Sequence, residues 1–197
     1  MRRIFMILLA ALLVGPIKAG ELLEYYVNEV DDHFLLHLDM RVDASHKEIR
    51  STLMDFSKMP EVNDTVIESR LIERSDNKHK IFFVSKGCIW VFCQTIEQVA
   101  MVSEPGPGYI MSSIIAEESD LRYGKSLWRL IDEGSKTRVI YSADYVPDFW
   151  VPPVIGSSIA KQKMLNEGRK TINGLERLIK SKKLADEQDA SDLNRAN

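Results

Sequence analysis

The sequence predicts an α+β fold in two layers: a curved antiparallel sheet of about six to seven strands laid against one long C-terminal helix. Three observations predict it. Between residues 34 and 146 the chain reads largely as strands separated by turn sequences. Two short helical patterns follow the first strand, and no others interrupt the meander. From about Val154, the residues Ile155, Ile159, Gln162, Leu165, Gly168, Ile172, Leu175 and Ile179 recur at threes and fours, one stripe of a helix. A helix of ~25 residues is ~37 Å long, enough to cross a whole sheet. With helices on one side of the sheet only, its other face is expected to be polar.

The elements follow in order. Met1-Arg2-Arg3 is basic, and residues 4–14 are apolar throughout. That run is shorter than the ~20 residues a bilayer crossing needs. Gly15-Pro16 breaks it, and Ile17-Lys18-Ala19 ends on a small residue. This is the layout of a secretory signal peptide over residues 1–19, and it implies a periplasmic or secreted protein. An uncleaved membrane anchor is the alternative reading.

Residues 20–33 read as a mixed lead-in with Tyr25 and Tyr26, and the folded domain is expected over 34–182. Phe34, Leu36, Leu38, Met40 and Val42 alternate cleanly on one strand face. Ser45-His46-Lys47-Glu48 has the capping-box form, Ser followed three later by Glu. Ile49, Leu53, Met54 and Phe56 then continue at helical spacing, the helix stops near Pro60, and a short turn or helix follows. Further strands are expected at 66–74, 81–85, 88–102, 109–116, 126–131 and 139–146. The turns between them include Ser75-Asp76-Asn77-Lys78, Pro105-Gly106-Pro107-Gly108 and Glu133-Gly134-Ser135. The polar tail over 183–197 lacks aromatic residues and is expected to be disordered.

Composition excludes several functions. The net charge is −3, with no basic excess to ask for nucleic acid. Four histidines are present, His33, His37, His46 and His79, without a Cys or carboxylate cluster at zinc-like spacing, so they read as solvated side chains and no metal is expected. There is no Gly-x-Ser-x-Gly elbow, and Gly106-Pro107-Gly108 lacks the Lys and helix of a phosphate loop. Nothing asks for a cofactor. Cys88 and Cys93 would meet an oxidising compartment after export. On one continuous strand, however, their Cα atoms would lie ~16 Å apart, against a bridging limit near ~7 Å. Two buried thiols are therefore expected; a disulfide would require a bulge or turn between them.

Several motifs, in order, resemble a known family. Val42-Asp43-Ala44-Ser45 opens a helix carrying Leu53-Met54-Asp55-Phe56, with Pro60 after it. Gly124-Lys125-Ser126-Leu127-Trp128-Arg129-Leu130 is a glycine-then-tryptophan strand. Thr137-Arg138-Val139-Ile140-Tyr141 leads to Pro147, Pro152-Pro153 and the long helix. Together they resemble the START-like, helix-grip superfamily (SRPBCC), in particular its polyketide cyclase/dehydrase and coenzyme Q-binding branch. The resemblance covers roughly residues 34–182. It implies a sheet gripping the C-terminal helix around an apolar cavity, without implying one activity.

Strand parity assigns the walls of that cavity. Trp90, Phe92 and Gln94 share one face of their strand, Trp128 and Leu130 another, Tyr141 and Tyr145 a third. These faces are assigned inward, as packed core or as pocket wall. Tyr141 and Gln94 could bond a ligand's head group. Phe149 and Trp150, set among prolines, read either as a plug for the core or as a lip for a lipid or a transient membrane contact. From the helix stripe, Leu165 and Gly168 face the sheet, Gly168 either permitting close approach or leaving room for ligand.

The expectation is an exported, monomeric protein that binds a hydrophobic small molecule or lipid; the resemblance adds an isoprenoid quinone as a candidate. A cyclase or dehydratase acting on a similar apolar substrate is the alternative, and it needs an acid or base inside the cavity. No strong candidate presents itself, since Asp144 falls on an outward parity and Asp148 in the bend. A protein-interaction module with a filled core is the third reading.

Overall fold

The computed structural model describes residues 20–89, 92–150 and 157–195. The leader reading of residues 1–19, the Trp90 assignment, and the bend and helix start over 151–156 lie outside the described residues. The order of elements is β1 (Glu21–Val30), β2 (His33–Val42), α1 (His46–Leu53), α2 (Met59–Val62), β3 (Val66–Ser75), β4 (Lys78–Ile89), β5 (Phe92–Gly106), β6 (Tyr109–Ile114), β7 (Leu121–Asp132), β8 (Thr137–Pro147) and α3 (Ser157–Arg195). The strands form one antiparallel sheet of eight in the order β1-β2-β8-β7-β6-β5-β4-β3. Helices α1, α2 and α3 cover one face.

The eighth strand comes from the lead-in. Residues 21–30 do not alternate, because β1 is an edge strand with Val27 its one buried residue. A bulge between Leu22 and Glu24 disturbs the period further. The strand is fixed by a two-residue hairpin in which Asp31 and Asp32 both take positive φ, 50° and 66°. That is the geometry that matches strand twist.

The segment over 88–102 is not one strand. β4 runs to Ile89, β5 starts at Phe92, and Cys88 stands directly opposite Cys93 in the ladder. The two are joined by a disulfide, with Cα atoms 4.0 Å apart. The expectation of two separate thiols fails because it measured the spacing along one strand. The chain reverses between the cysteines, and the reversal carries no Gly, Pro, Asn or Asp to announce it.

The other turns are where the sequence puts them. Ser75 pairs Lys78, Gly106 pairs Tyr109, and Gly108 and Gly134 take the positive φ that favours glycine. The capping box is formed: Ser45 N donates to Glu48 Oε2 at 2.9 Å, and Glu48 N donates to Ser45 Oγ at 3.4 Å.

The core lies at one end of the helix–sheet interface. Ile172, Leu175 and Ile179 of α3 pack with Met40, Val42, Ile49 and Val139. Gly174 brings the α3 backbone against α2 so closely that a Cβ there would sit 1.8 Å from the Val62 carbonyl oxygen. The helix runs on through Arg195, so the stretch expected to be disordered from residue 183 is helical as far as that. Its Lys, Leu, Ala, Glu and Gln are good helix formers without an apolar stripe.

Candidate ligand-binding cavity

Toward the N-terminal half of α3 the same interface is not filled. A cavity of about 700 Å³ opens between the concave face of the sheet, α2 and α3. Its size is within the ~300–1,000 Å³ of small-molecule sites. The walls are mostly apolar: Phe34, Leu36 and Leu38 of β2, Phe83 of β4, Ile96 of β5 and Trp128 of β7 all border it. The helix stripe explains the division. Ile172, Leu175 and Ile179 are buried, whereas Gln162 is exposed and Ile159 and Leu165 are half-buried.

The residues picked out from strand parity, the bend and the helix stripe divide into three groups. Gln94, Trp128, Tyr141, Tyr145, Phe149 and Trp150 line the cavity. Leu130 is buried in the core cluster below it and does not line it. Leu165 and Gly168 do not line it either. A Cβ on Gly168 would meet Leu38 Cδ2 at 3.1 Å and Leu22 Cδ1 at 3.6 Å, so the glycine permits close packing and leaves no ligand space. Phe92 opens β5; its side chain lies outside the described residues.

Two polar groups stand out in the apolar lining. The first is a pair of tyrosines. Tyr141 OH lies 2.9 Å from Tyr145 OH, and Trp128 packs on the Tyr141 ring with centroids 4.4 Å apart. Gly124 makes room for this arrangement, since a Cβ there would come within 2.8 Å of the Tyr145 ring. Burial pushes the Tyr141 hydroxyl well above the usual tyrosine range and raises that of Tyr145 too, so both remain protonated donors.

The second is Glu167 on α3, which sequence reasoning missed. Lys163 Nζ approaches Glu167 Oε1 at 2.8 Å and Lys170 Nζ at 3.6 Å. Both carboxylate oxygens are buried, with the two ammonium groups as the charges that compensate them. Nearby, Asn63 Nδ2 donates to Thr171 Oγ1 at 3.1 Å, and both residues line the cavity with Lys163 and Glu167. The only signal for Glu167 in the sequence is its place four after Lys163, beside the apolar stripe. Such charges usually belong to a solvated helix face.

His33 Nδ1 lies 2.7 Å from Asp144 Oδ1, and His37 Nδ1 lies 3.2 Å from Ser142 Oγ. Both histidines, expected to be solvated, have side-chain partners on β8, outside the cavity.

No protein-family model matches this chain, and no curated protein matches it by sequence. Solved structures do. A STAR-related lipid transfer protein from Xanthomonas axonopodis matches at 17% identity and a TM-score of 0.60, covering 83% of this chain and 99% of that one. The Zhui aromatase/cyclase from Streptomyces sp. R1128 matches at 9% identity and a TM-score of 0.60, covering 75% and 94%. Human STARD10 matches at 12% identity and a TM-score of 0.59, covering 81% and 76%. At these identities the likeness speaks for the fold. This chain has the START-like, helix-grip fold, with the sheet wrapped on α3 and an apolar cavity between them.

Proposed function

We propose that this protein is an exported binding protein that holds one hydrophobic small molecule or lipid between sheet and helix. The observation that carries the reading is the open, apolar-walled cavity of about 700 Å³. Apolar ligand surface placed there gains ~25 cal/mol per Å² removed from water. The Tyr141–Tyr145 pair, beside Ser126, then orients the ligand, with one of its hydroxyls donating to a ligand oxygen. An isoprenoid quinone, with a carbonyl on a long apolar tail, has the right chemistry for such a wall. A lipid transfer protein among the structural neighbours supports the same kind of cargo. Trp150, 72% exposed on a residue that also lines the cavity, supports a transient membrane contact at its mouth. Export is supported by the apolar run behind Arg2-Arg3 and by the Cys88–Cys93 disulfide, which persists in oxidising compartments.

The test is native mass spectrometry of the protein purified from its own compartment, followed by organic extraction. The expected result is a chain starting near Gly20 that carries one extractable apolar molecule. A protein without added mass, which also takes up no apolar fluorescent probe, overturns the binding reading. An intact Met1 overturns export.

A further inference from the structure

We infer that removal of the leader at the Ala19–Gly20 bond builds an ion pair into the fold: the new α-ammonium of Gly20 docks on Glu176 of α3. The inference rests on the export reading above and adds to it the bond that is cut and what the cut creates.

The first observation is where the Gly20 nitrogen sits. It donates to Glu176 Oε2 at 3.0 Å, while Asp43 N donates to Glu176 Oε1 at 2.8 Å. One half-buried carboxylate thus gathers the start of β1 and the end of β2 onto the helix. The second is fit. A Cβ at position 20 would lie 2.7 Å from the Arg41 carbonyl oxygen and closer still to Ile172 Cγ2, so the seat takes glycine and no larger residue. A cut one residue to either side would move the terminal nitrogen by ~3.8 Å along the chain. The third is charge. Among the described residues no Lys, Arg or His side chain forms an ion pair with Glu176. The charged neighbours in the chain are Glu21 of β1, Arg41 of β2, Asp43 just after it, and Lys180 one turn further along α3. Arg41 is already shared by Glu21 and Glu133, and Lys180 is exposed. Negative charge is in surplus at the seat, and a cation is what it lacks.

Cleavage supplies one. In the precursor the Gly20 nitrogen is an amide, with one proton and no charge. Hydrolysis of the Ala19–Gly20 bond by a leader peptidase consumes one water; the leader departs with the Ala19 carboxylate, and Gly20 keeps an ammonium. The same nitrogen then has three protons and a positive charge, and its bond to Glu176 becomes charge-assisted. β1 is an edge strand with Val27 its one buried residue, so a stronger bond at its start fastens it to α3. The cleaved chain is therefore more stable than the precursor. An amine held by an anion keeps its proton above the ~7.7–8.0 of an unperturbed α-amine. The stability it contributes is complete below that range and is lost as pH rises through the folded value.

Thermal melts compare the exported protein, beginning at Gly20, with the same protein acetylated on its α-amine, which restores the amide and removes the charge. At about pH 6 the free form should melt about 2–4 °C higher, and the gap should close by about pH 10. In Glu176→Gln the two forms should melt together. A second measurement needs no variant, and decides the matter if Glu176→Gln does not fold: NMR titration of the Gly20 α-carbon should show the folded amine titrating above the unperturbed range. Equal melting of the free and acetylated wild type overturns the inference while export stands. So does a gap that survives Glu176→Gln, an amine that titrates at or below the unperturbed range, or an exported chain that begins at another residue. An intact Met1 on protein from its own compartment overturns export, and the inference with it.

Discussion

The hydroxyls of Tyr141 and Tyr145 meet at 2.9 Å although the residues stand four apart on β8. Four residues of strand span ~13 Å, so the two rings must lean toward each other across the concave face of the sheet. Tyr141→Phe leaves Tyr145 buried without that partner. Unfolding in urea should show a loss of about 1–2 kcal/mol. The double variant with Tyr145→Phe should lose less than the sum of the two single changes, because the pair acts as one unit. Additive losses would show that the hydroxyls are not coupled.

Gly174 and Gly87 predict opposite outcomes for the same substitution. A Cβ at Gly174 meets the Val62 backbone at 1.8 Å, and backbone cannot rotate away as a side chain can. Gly174→Ala should therefore cost about 3 kcal/mol or more, at the upper end of overpacking, although alanine favours a helix. A Cβ at Gly87 meets nothing within 4 Å, so Gly87→Ala should leave stability within about 0.5 kcal/mol. Thermal melts of the two proteins check this; a stable Gly174→Ala protein would mean that α2 does not sit on α3.

Acid stability should depend on Glu48. The Lys183 ammonium, then the Ser45 cap, hold its carboxylate down at about 2 from an ordinary 4.5. A folded pKa below the unfolded one stabilises the protein above the unfolded value, and that contribution is lost as pH falls toward the folded value. Wild-type stability should decline between pH 4.5 and about 2 through this group. Glu48→Gln should be less stable at neutral pH and show a shallower decline over the same window. Tm measured against pH distinguishes the two curves; parallel curves would place the acid sensitivity elsewhere.

Much of the architecture was legible because it rests on periods the chain repeats. The alternation of β2, the stripe of α3, the capping box at Ser45 and the Gly108 and Gly134 turns each have a local cause. What could not be read has non-local causes. β1 is held by its partner strand and by an Asp31-Asp32 hairpin, and its own face pattern is broken. Cys88 and Cys93 are neighbours only once the chain reverses between them. In the cavity, strand parity found Trp128, Tyr141 and Tyr145, because side-chain direction on a strand follows from position. It could not separate wall from core, which is why Leu130 was grouped with them, and the helix stripe could not do so for Gly168. Glu167 is a charge on a helix until the fold closes over it.

Helix α3 has 39 residues, which at 1.5 Å each is ~58 Å. Its buried anchors end at Ile179, Lys183 makes a last ion pair with Glu48, and residues 184–189 are exposed. One continuous helix therefore has two lifetimes. Amides around Ile172 and Leu175 open when the domain unfolds, and their hydrogens should survive for as long as the native state does. Those of residues 184–189, whose side chains are exposed, belong to a stretch of helix without tertiary support, which melts and reforms on the ~0.1–1 μs scale of helix–coil relaxation. A protease would find its first cleavage sites there, shortening the helix turn by turn until it met the residues that the sheet protects.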